Sequence, residues 1–159
     1  MPGELYDTDI VAWSAQQADL LRHAARGERV NGLDWPNLIE EIESVGRSEV
    51  HSVESLLRQA LVHLLKLGGW PGHDATSHWR AEIVGFLADA ERRFAPSMRQ
   101  AIDLARVYRS ALRQVTLLRI DGTAPRPLPP ACPFALDDLL ADAPEIGALL
   151  ARLTAAAEG

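Results

Sequence analysis

The chain has 159 residues, of which 47% are hydrophobic and 24% are charged, and its formal net charge is −6. This length and balance exclude a disordered chain and predict one globular domain, residues 1–159, with a sizeable core. A general nucleic-acid binder usually has a basic surplus, so the negative charge makes nucleic acid an unexpected partner.

The first predicted helix covers residues 8–26, with Asp7 as its expected N-cap. One side of this segment is apolar at helical spacing, through Ile10, Trp13, Leu20, Leu21 and Ala24. A polar turn follows at residues 27–33, and its Asn31-Gly32 pair is a strong helix breaker. The turn separates this helix from a much longer one.

A long amphipathic helix is predicted over residues 33–67, with Asp34 as its N-cap and Pro36 in its first turn. One side is apolar or small, through Leu38, Ile42, Val45, Gly46, Val53, Leu56, Leu57, Ala60, Leu61 and Leu64. The opposite side is charged or polar, through Glu40, Glu43, Arg47, His51, Glu54 and Arg58. A glycine costs about 1 kcal/mol relative to alanine inside a helix. We therefore expect Gly46 to let a neighbouring helix approach closely, with a kink as the alternative.

Two further helices are predicted after a glycine-rich turn. The first covers residues 78–94, is capped by Ser77 and has an apolar inner side formed by Trp79, Ile83, Phe86, Leu87, Ala90 and Phe94. Pro96 and Ser97 interrupt it, and the second then runs through Met98 to about Arg119. Residues 121–133 contain five prolines, which favour an extended strap over the bundle; a docking segment for a proline-recognising partner is the alternative. Short helices are expected from Ala135 to Leu140 and at residues 145–157. The predicted fold is all-α: an up-and-down helical bundle of about four main helices with a proline-rich C-terminal strap and short terminal helices.

Several short blocks form a recognisable pattern. They are Tyr6-Asp7 with Trp13, Asp34-Trp35, residues 37–44 (NLIEEIES), residues 46–49 (GRSE), residues 63–66 (HLLK), Ser77 with Trp79-Arg80, and Cys132-Pro133-Phe134. Together these blocks resemble the signature of a bacterial family, domain of unknown function 29, over residues 5–142. The resemblance implies a small, all-helical, cytoplasmic bacterial protein and supplies no established activity. The glycine-rich turn from Gly68 to Gly72 and the Ala-rich extension at residues 143–159 depart from the family pattern.

Glu49 has the most unusual predicted position, because it falls near the centre of the apolar side of the long helix. An unpaired buried carboxylate is costly, so we expect an arginine of another helix to pair with it. Arg80 and the arginines of the fourth helix are the candidates. A metal or small-ligand site at Glu49 and a bend that exposes it are the alternatives. The predicted binding residues are therefore Glu49, Arg80 and the neighbouring Glu43 and Arg47.

The histidines give a second set of candidates. His63 lies in a segment that is apolar on nearly every side, so it is expected in the core with a hydrogen bond to backbone or to a carboxylate. No cofactor is predicted on this interpretation. The alternative is a divalent metal held by His63, His73 and His78, because three histidines suit zinc or a similar metal with an open position. His51 and Glu54 are interpreted as parts of a solvated face.

Charge is distributed unevenly, with a net −6 in residues 1–60, +4 in residues 61–119 and −4 in residues 120–159. This pattern indicates that an acidic first half complements a basic middle. The fourth predicted helix carries a basic row, through Arg99, Arg106, Arg109 and Arg113. We expect this row to meet glutamates of the long helix or a protein partner, and phosphates are the alternative.

No phosphate-binding glycine loop, dinucleotide fingerprint, nucleophile elbow or paired-cysteine zinc motif occurs in the sequence. The single cysteine, Cys132, lies between prolines and is interpreted as a packing residue. With no apolar span and no signal-like N-terminus, we expect a cytoplasmic protein with no membrane partner. The predicted function is protein–protein interaction, including self-association. The alternative is an enzyme or a metal- or ligand-binding protein with a site in the bundle core.

Overall fold

The computed structural model describes residues 2–159, with side chains from residue 3 onward, and this part of the chain contains seven α-helices. In chain order they are α1 (Pro2–Thr8), α2 (Ile10–Ala25), α3 (Trp35–Gly69), α4 (Thr76–Arg93), α5 (Leu104–Thr116), α6 (Leu136–Leu139) and α7 (Ile146–Glu158). A 3₁₀ helix, Pro96–Met98, precedes α5. Across residues 2–159 the only β pairing is an isolated bridge between Ile120 and Thr123. The prediction of an all-α helical bundle with a proline-rich strap is confirmed.

The chain divides into two compact units, Met1–Ser48 and Glu49–Gly159. The first unit contains α1, α2 and the beginning of α3. The second contains the remainder of α3 and all later helices. That the chain forms a single domain stays a prediction.

Three helix starts differ from the predicted ones, each for a local reason. The cap of α2 is Asp9, not Asp7, because the Asp9 carboxylate accepts from the Ala12 backbone N–H at 2.9 Å. Helix α4 begins at Thr76 without a side-chain cap, so the predicted Ser77 cap is wrong. The fourth predicted helix starts later than expected, because the Asp103 carboxylate caps α5 by accepting from the Arg106 N–H at 3.0 Å.

Helix α3 begins at Trp35 and not at Leu33, directly after Asp34, whose carbonyl accepts from the Leu38 N–H at 2.9 Å, as expected for an N-cap at Asp34. It is one helix through Gly46. A Cβ added at Gly46 would meet no described atom within 4 Å. The prediction of a closely packed neighbour at Gly46 is therefore wrong, because this side of the helix is exposed to solvent.

A buried polar network holds the first unit together. The Trp13 indole and the Asn37 amide both donate to Oδ2 of Asp34, at 3.1 and 2.8 Å. The Gln17 side chain, only 1% exposed, accepts from the Asp34 N–H at 2.8 Å and donates to the Gly32 carbonyl at 3.2 Å. Hydrogen bonds from the Asn37 side chain, the Trp13 indole and the Asn37 backbone lower the pKa of Asp34 against the opposing effect of burial. The ionised carboxylate is thus the form that this network binds.

The second unit has a continuous apolar core. Its large, fully buried members are Val53, Leu57, Leu61, Val62, Leu64, Leu65, Ile83, Leu87, Tyr108, Leu139 and Leu153. The Tyr108 hydroxyl donates to the Pro129 carbonyl at 2.7 Å, which ties the proline-rich segment to α5. The core therefore joins the second part of α3 to α4, α5, α6 and α7.

The proline-rich strap also closes over the end of α3. Gly68 and Gly69 lie inside the helix, where they had been expected to end it. A Cβ at Gly69 would stand 2.9 Å from Cβ of Pro125, and one at Gly68 would stand 2.9 Å from Cδ2 of Leu153. The Arg126 N–H donates to the Gly69 carbonyl at 2.9 Å. The two glycines are thus explained by the close approach of the strap and of α7.

Candidate functional site

The first part of α3 carries an apolar row that is open to solvent, which we call the α3 stripe. It consists of Trp35, Ile39, Ile42 and Val45, at intervals of four, three and three residues, which places them on one side of the helix. Their exposed fractions range from 54% to 72%. Gly46 follows on the same side. Single exposed apolar residues are ordinary, but a contiguous row of large ones is uncommon on the surface of a monomeric protein.

A charged row borders the α3 stripe. Arg47 donates to the Glu40 carboxylate, and its Nη1 lies 3.8 Å from Oε2 of Glu43. All three side chains are at least half exposed, so these pairs stabilise the helix by only about 0–1 kcal/mol. Both carboxylates lie towards the start of the helix and the guanidinium lies towards its middle. The row therefore has an acidic end and a basic end.

The stripe is open because α1 and α2 use another side of α3. The Tyr6 hydroxyl donates to Oε1 of Glu41 at 2.6 Å, and the Tyr6 ring meets the Trp13 ring edge-on at 4.9 Å between centroids. Trp13 in turn binds Asp34. Within the first unit, the side of α3 that carries Asn37 and Glu41 thus faces its neighbours, while the side that carries the α3 stripe faces solvent. A surface helix usually directs its apolar side to the core instead.

Two members of the α3 stripe, Trp35 and Ile39, had not been assigned to the apolar side from the sequence. The signal was present, because the four-residue interval from Trp35 to Ile39 continues the spacing that reaches Ile42. The predicted binding residues Glu43 and Arg47 lie in the charged row beside the stripe. Their role in binding stays a prediction.

The environment of Glu49 differs from the expected one. Glu49 is exposed, so the prediction that it lies on a buried apolar side is wrong. The spacing placed it correctly beside Ile42 and Val45, but those residues are exposed as well. Arg80 is exposed on α4, and no ion pair between it and Glu49 exists among the described residues. A water-exposed carboxylate needs no compensating charge.

The three candidate metal ligands have separate surroundings. His63 is partly buried, its Nδ1 lies 2.8 Å from the Gln59 carbonyl, and its ring is near Phe86, as expected for a core histidine bonded to backbone. His78 is exposed. Residues 2–159 contain no group of three or more His, Cys, Asp or Glu that could hold a metal ion. Metal binding by His63, His73 and His78 stays a prediction that metal analysis of chelator-free protein checks.

His73 belongs to a structural clip. The Ala75 N–H donates to its Nδ1 at 3.0 Å, which leaves the hydrogen on Nε2 to bind Oδ2 of Asp121 at 3.0 Å. The ring stacks on Trp79 with 5.1 Å between centroids. Both ring nitrogens are therefore occupied, and the imidazole joins the turn after α3 to the turn at Asp121. Neither nitrogen is free to bind a metal in this conformation.

A polar groove in the second unit lies between α3 and α5. Glu54 is 8% exposed and accepts from Nη2 of Arg106 at 2.8 Å, so its assignment to a solvated face is wrong, although His51 beside it is exposed. The basic row was expected to meet glutamates of the long helix, and this ion pair confirms that expectation for Arg106. Arg99 binds Asp137 instead, at 2.8 Å. The helix spacing could not show which arginine would reach Glu54.

Cys132 was expected to be a packing residue. Burial raises the pKa of its half-buried thiol, which disfavours the reactive thiolate and is consistent with a packing role. None of the described helices combines the length and apolar character that a membrane crossing requires.

Comparisons with known proteins agree with the helical architecture. Residues 5–143 match the sequence model of a family described as "Domain of unknown function DUF29". A crystal structure of an alpha-helical protein of unknown function from Rhodospirillum rubrum is similar to this chain, with 31% sequence identity and a TM-score of 0.70. That similarity covers 93% of this chain and 96% of the other. No curated protein matches the chain. The resemblance seen in the sequence blocks is confirmed.

Proposed function

The chain belongs to the DUF29 family, whose description names no activity, and we propose that it is a protein-interaction module that associates with a second copy of itself through the α3 stripe. One observation carries the proposal: four large apolar side chains stand in a row on one side of a helix and are exposed to water. Covering them would remove apolar surface from solvent, which favours association by about 25 cal/mol for each Å² buried.

The charged row favours a second copy as the partner. A two-fold axis across α3 makes the two helices antiparallel and brings the same flank of each helix together. The acidic end of one row, at Glu40 and Glu43, then lies near the basic end of the other, at Arg47. A parallel arrangement would not bring these opposite ends together. The polarity of the row therefore suits an antiparallel, self-complementary contact.

The size of the stripe predicts a weak, reversible dimer. From Trp35 to Val45 the helix advances only about 15 Å, at about 1.5 Å per residue. Interfaces that bury less than about 1,200 Å² in total belong to weak or transient complexes. We therefore expect the monomer and dimer to exchange at micromolar concentrations, and the charged row to contribute more to orientation and association rate than to affinity.

The first test is analytical ultracentrifugation of the full chain over a range of concentrations. We expect a concentration-dependent dimer that Ile42→Asp abolishes, because the substitution would place a carboxylate in the centre of the contact. Val84→Asp is the matched control, since Val84 is 54% exposed but lies on α4 in the second unit. A wild-type chain that stays monomeric at every concentration overturns the proposal. So does an equal loss of dimer in Ile42→Asp and Val84→Asp.

A charge exchange tests the antiparallel orientation. Arg47→Glu makes the row wholly acidic, and the double variant Glu40→Arg, Glu43→Arg makes it wholly basic. We expect each variant alone to dimerise less than the wild type and a mixture of the two to form heterodimers. Heterodimer formation in this mixture should weaken as salt is added, because salt screens the attraction between exposed charges. Homodimers as strong as wild type in either variant would contradict this orientation.

A further inference from the structure

The polar groove between α3 and α5 is the second unassigned feature of the molecule. It is open to solvent, has a volume of about 360 Å³ and is lined by His51, Glu54, Ser55, Arg58, Arg106, Val107 and Ser110. Six of these seven residues have charged or hydrogen-bonding side chains, and only Val107 is apolar. The lining of the groove is therefore suited to a polar ligand, and none of its residues belongs to the α3 stripe.

Its charges favour an anion. Arg58 and Arg106 contribute two guanidinium groups, and Glu54 contributes one carboxylate. Nη2 of Arg106 already donates to Oε2 of Glu54 at 2.8 Å, and Nη1 of Arg58 donates to Oε1 of Gln114 at 2.8 Å. A guanidinium has five N–H donors, so both arginines retain donors for a ligand. The buried Glu54 holds Arg106 at the groove and leaves one formal positive charge in excess.

We propose that this groove binds the phosphate group of a small phosphorylated compound. Guanidinium groups match the geometry of phosphate oxygens and form strong charge-assisted hydrogen bonds with them. The hydroxyls of Ser55 and Ser110 and the exposed ring of His51 supply further polar contacts for the rest of the ligand. The groove holds more than a phosphate ion, so a phosphate ester fills it better than inorganic phosphate.

The test is an NMR titration of the full chain with inorganic phosphate and, separately, with glycerol 3-phosphate, at constant ionic strength. We expect saturable shifts confined to the groove residues, with a dissociation constant of about 1 mM or below for the ester and weaker binding for inorganic phosphate. Arg58→Gln should weaken binding about tenfold or more, because it removes one charged donor. Arg109→Gln is the matched control, since Arg109 is exposed on α5 but does not line the groove.

Glu54→Gln is expected to strengthen phosphate binding, whereas Arg58→Gln is expected to weaken it. The amide oxygen can still accept from Arg106, while the groove gains one net positive charge. We expect the variant to bind phosphate about threefold to tenfold more tightly, since a nearby negative charge has been removed. Equal weakening by Arg58→Gln and Arg109→Gln would show general attraction to an arginine-rich surface and would overturn the proposal. Unsaturable shifts, or no change in affinity with Glu54→Gln, would overturn it as well.

Discussion

The two compact units use the same helix in opposite ways. In the first unit, α3 directs polar residues to its neighbours and leaves Trp35, Ile39 and Ile42 in water. In the second unit, α3 directs Leu57 and Leu61 into a closed apolar core. The spacing of apolar residues is helical throughout, so spacing alone does not show which side is covered. The difference teaches that amphipathicity identifies a surface suited to burial, and neighbouring elements decide whether burial occurs within the chain.

The largest expected effect on stability comes from truncating a buried side chain of α3, and truncation of an exposed side chain on the same helix is the comparison. Leu61→Ala should lower the free energy of unfolding by about 2–5 kcal/mol, because it leaves a cavity in a fully buried position. Ile42→Ala should change it by only about 0.5 kcal/mol, because its side chain is 72% exposed. Chemical denaturation at a protein concentration below the dimer range measures both. Equal losses would mean that Ile42 is covered in the monomer.

The next effect concerns the glycines beneath the strap. Gly69→Ala should cost about 1–3 kcal/mol, because the new Cβ would stand 2.9 Å from the rigid ring of Pro125. Gly68→Ala should cost less, since the atom it meets is the flexible end of Leu153. Gly85→Ala on α4 is the control: nothing lies within 4 Å, and alanine should stabilise the helix by about 0.5–1 kcal/mol. Thermal unfolding that ranks the three variants differently would contradict this account of the strap.

A pH-dependent effect distinguishes the polar network of the first unit from the apolar core of the second. The folded-state pKa of Asp34 is lower than its ordinary value of 3.8, so the ionised carboxylate stabilises the fold above that pH. This contribution disappears as the pH falls through the lowered pKa. Asp34→Asn should therefore lower the melting temperature at pH 7, and its difference from the wild type should shrink below about pH 4.

Trp13→Phe is the companion variant for this network. It keeps an aromatic ring in the buried position but removes the indole N–H that binds Asp34. We expect it to reduce stability at neutral pH and to reduce the effect of Asp34→Asn when the two are combined, because both act on one hydrogen bond. Strictly additive effects in a double-mutant cycle would show that the bond contributes nothing.

Much of the fold could be predicted from the sequence, because apolar periodicity and breakers are local. The inner side of α4 shows this: Ile83, Leu87 and Ala90 are buried as their spacing predicted. The candidate site could not be predicted to the same degree. The exposure of Glu49 and the burial of Glu54 depend on which helix lies against each side of α3, and that is tertiary information. The long-range pair between Glu54 and Arg106 joins residues 52 positions apart, which no local pattern specifies.

The smallest expected effect is also the most direct measure of whether the first part of α3 is open. Alanine is favoured over glycine inside a helix by about 1 kcal/mol, and Gly46 has no described atom within 4 Å of a built Cβ. Gly46→Ala should therefore raise the free energy of unfolding of the dilute monomer by up to about 1 kcal/mol. A loss of stability would mean that another surface of the chain packs on Gly46 in solution. In that case the α3 stripe would be covered by its own chain, and the apolar residues beside Gly46 would no longer be free to receive a second copy.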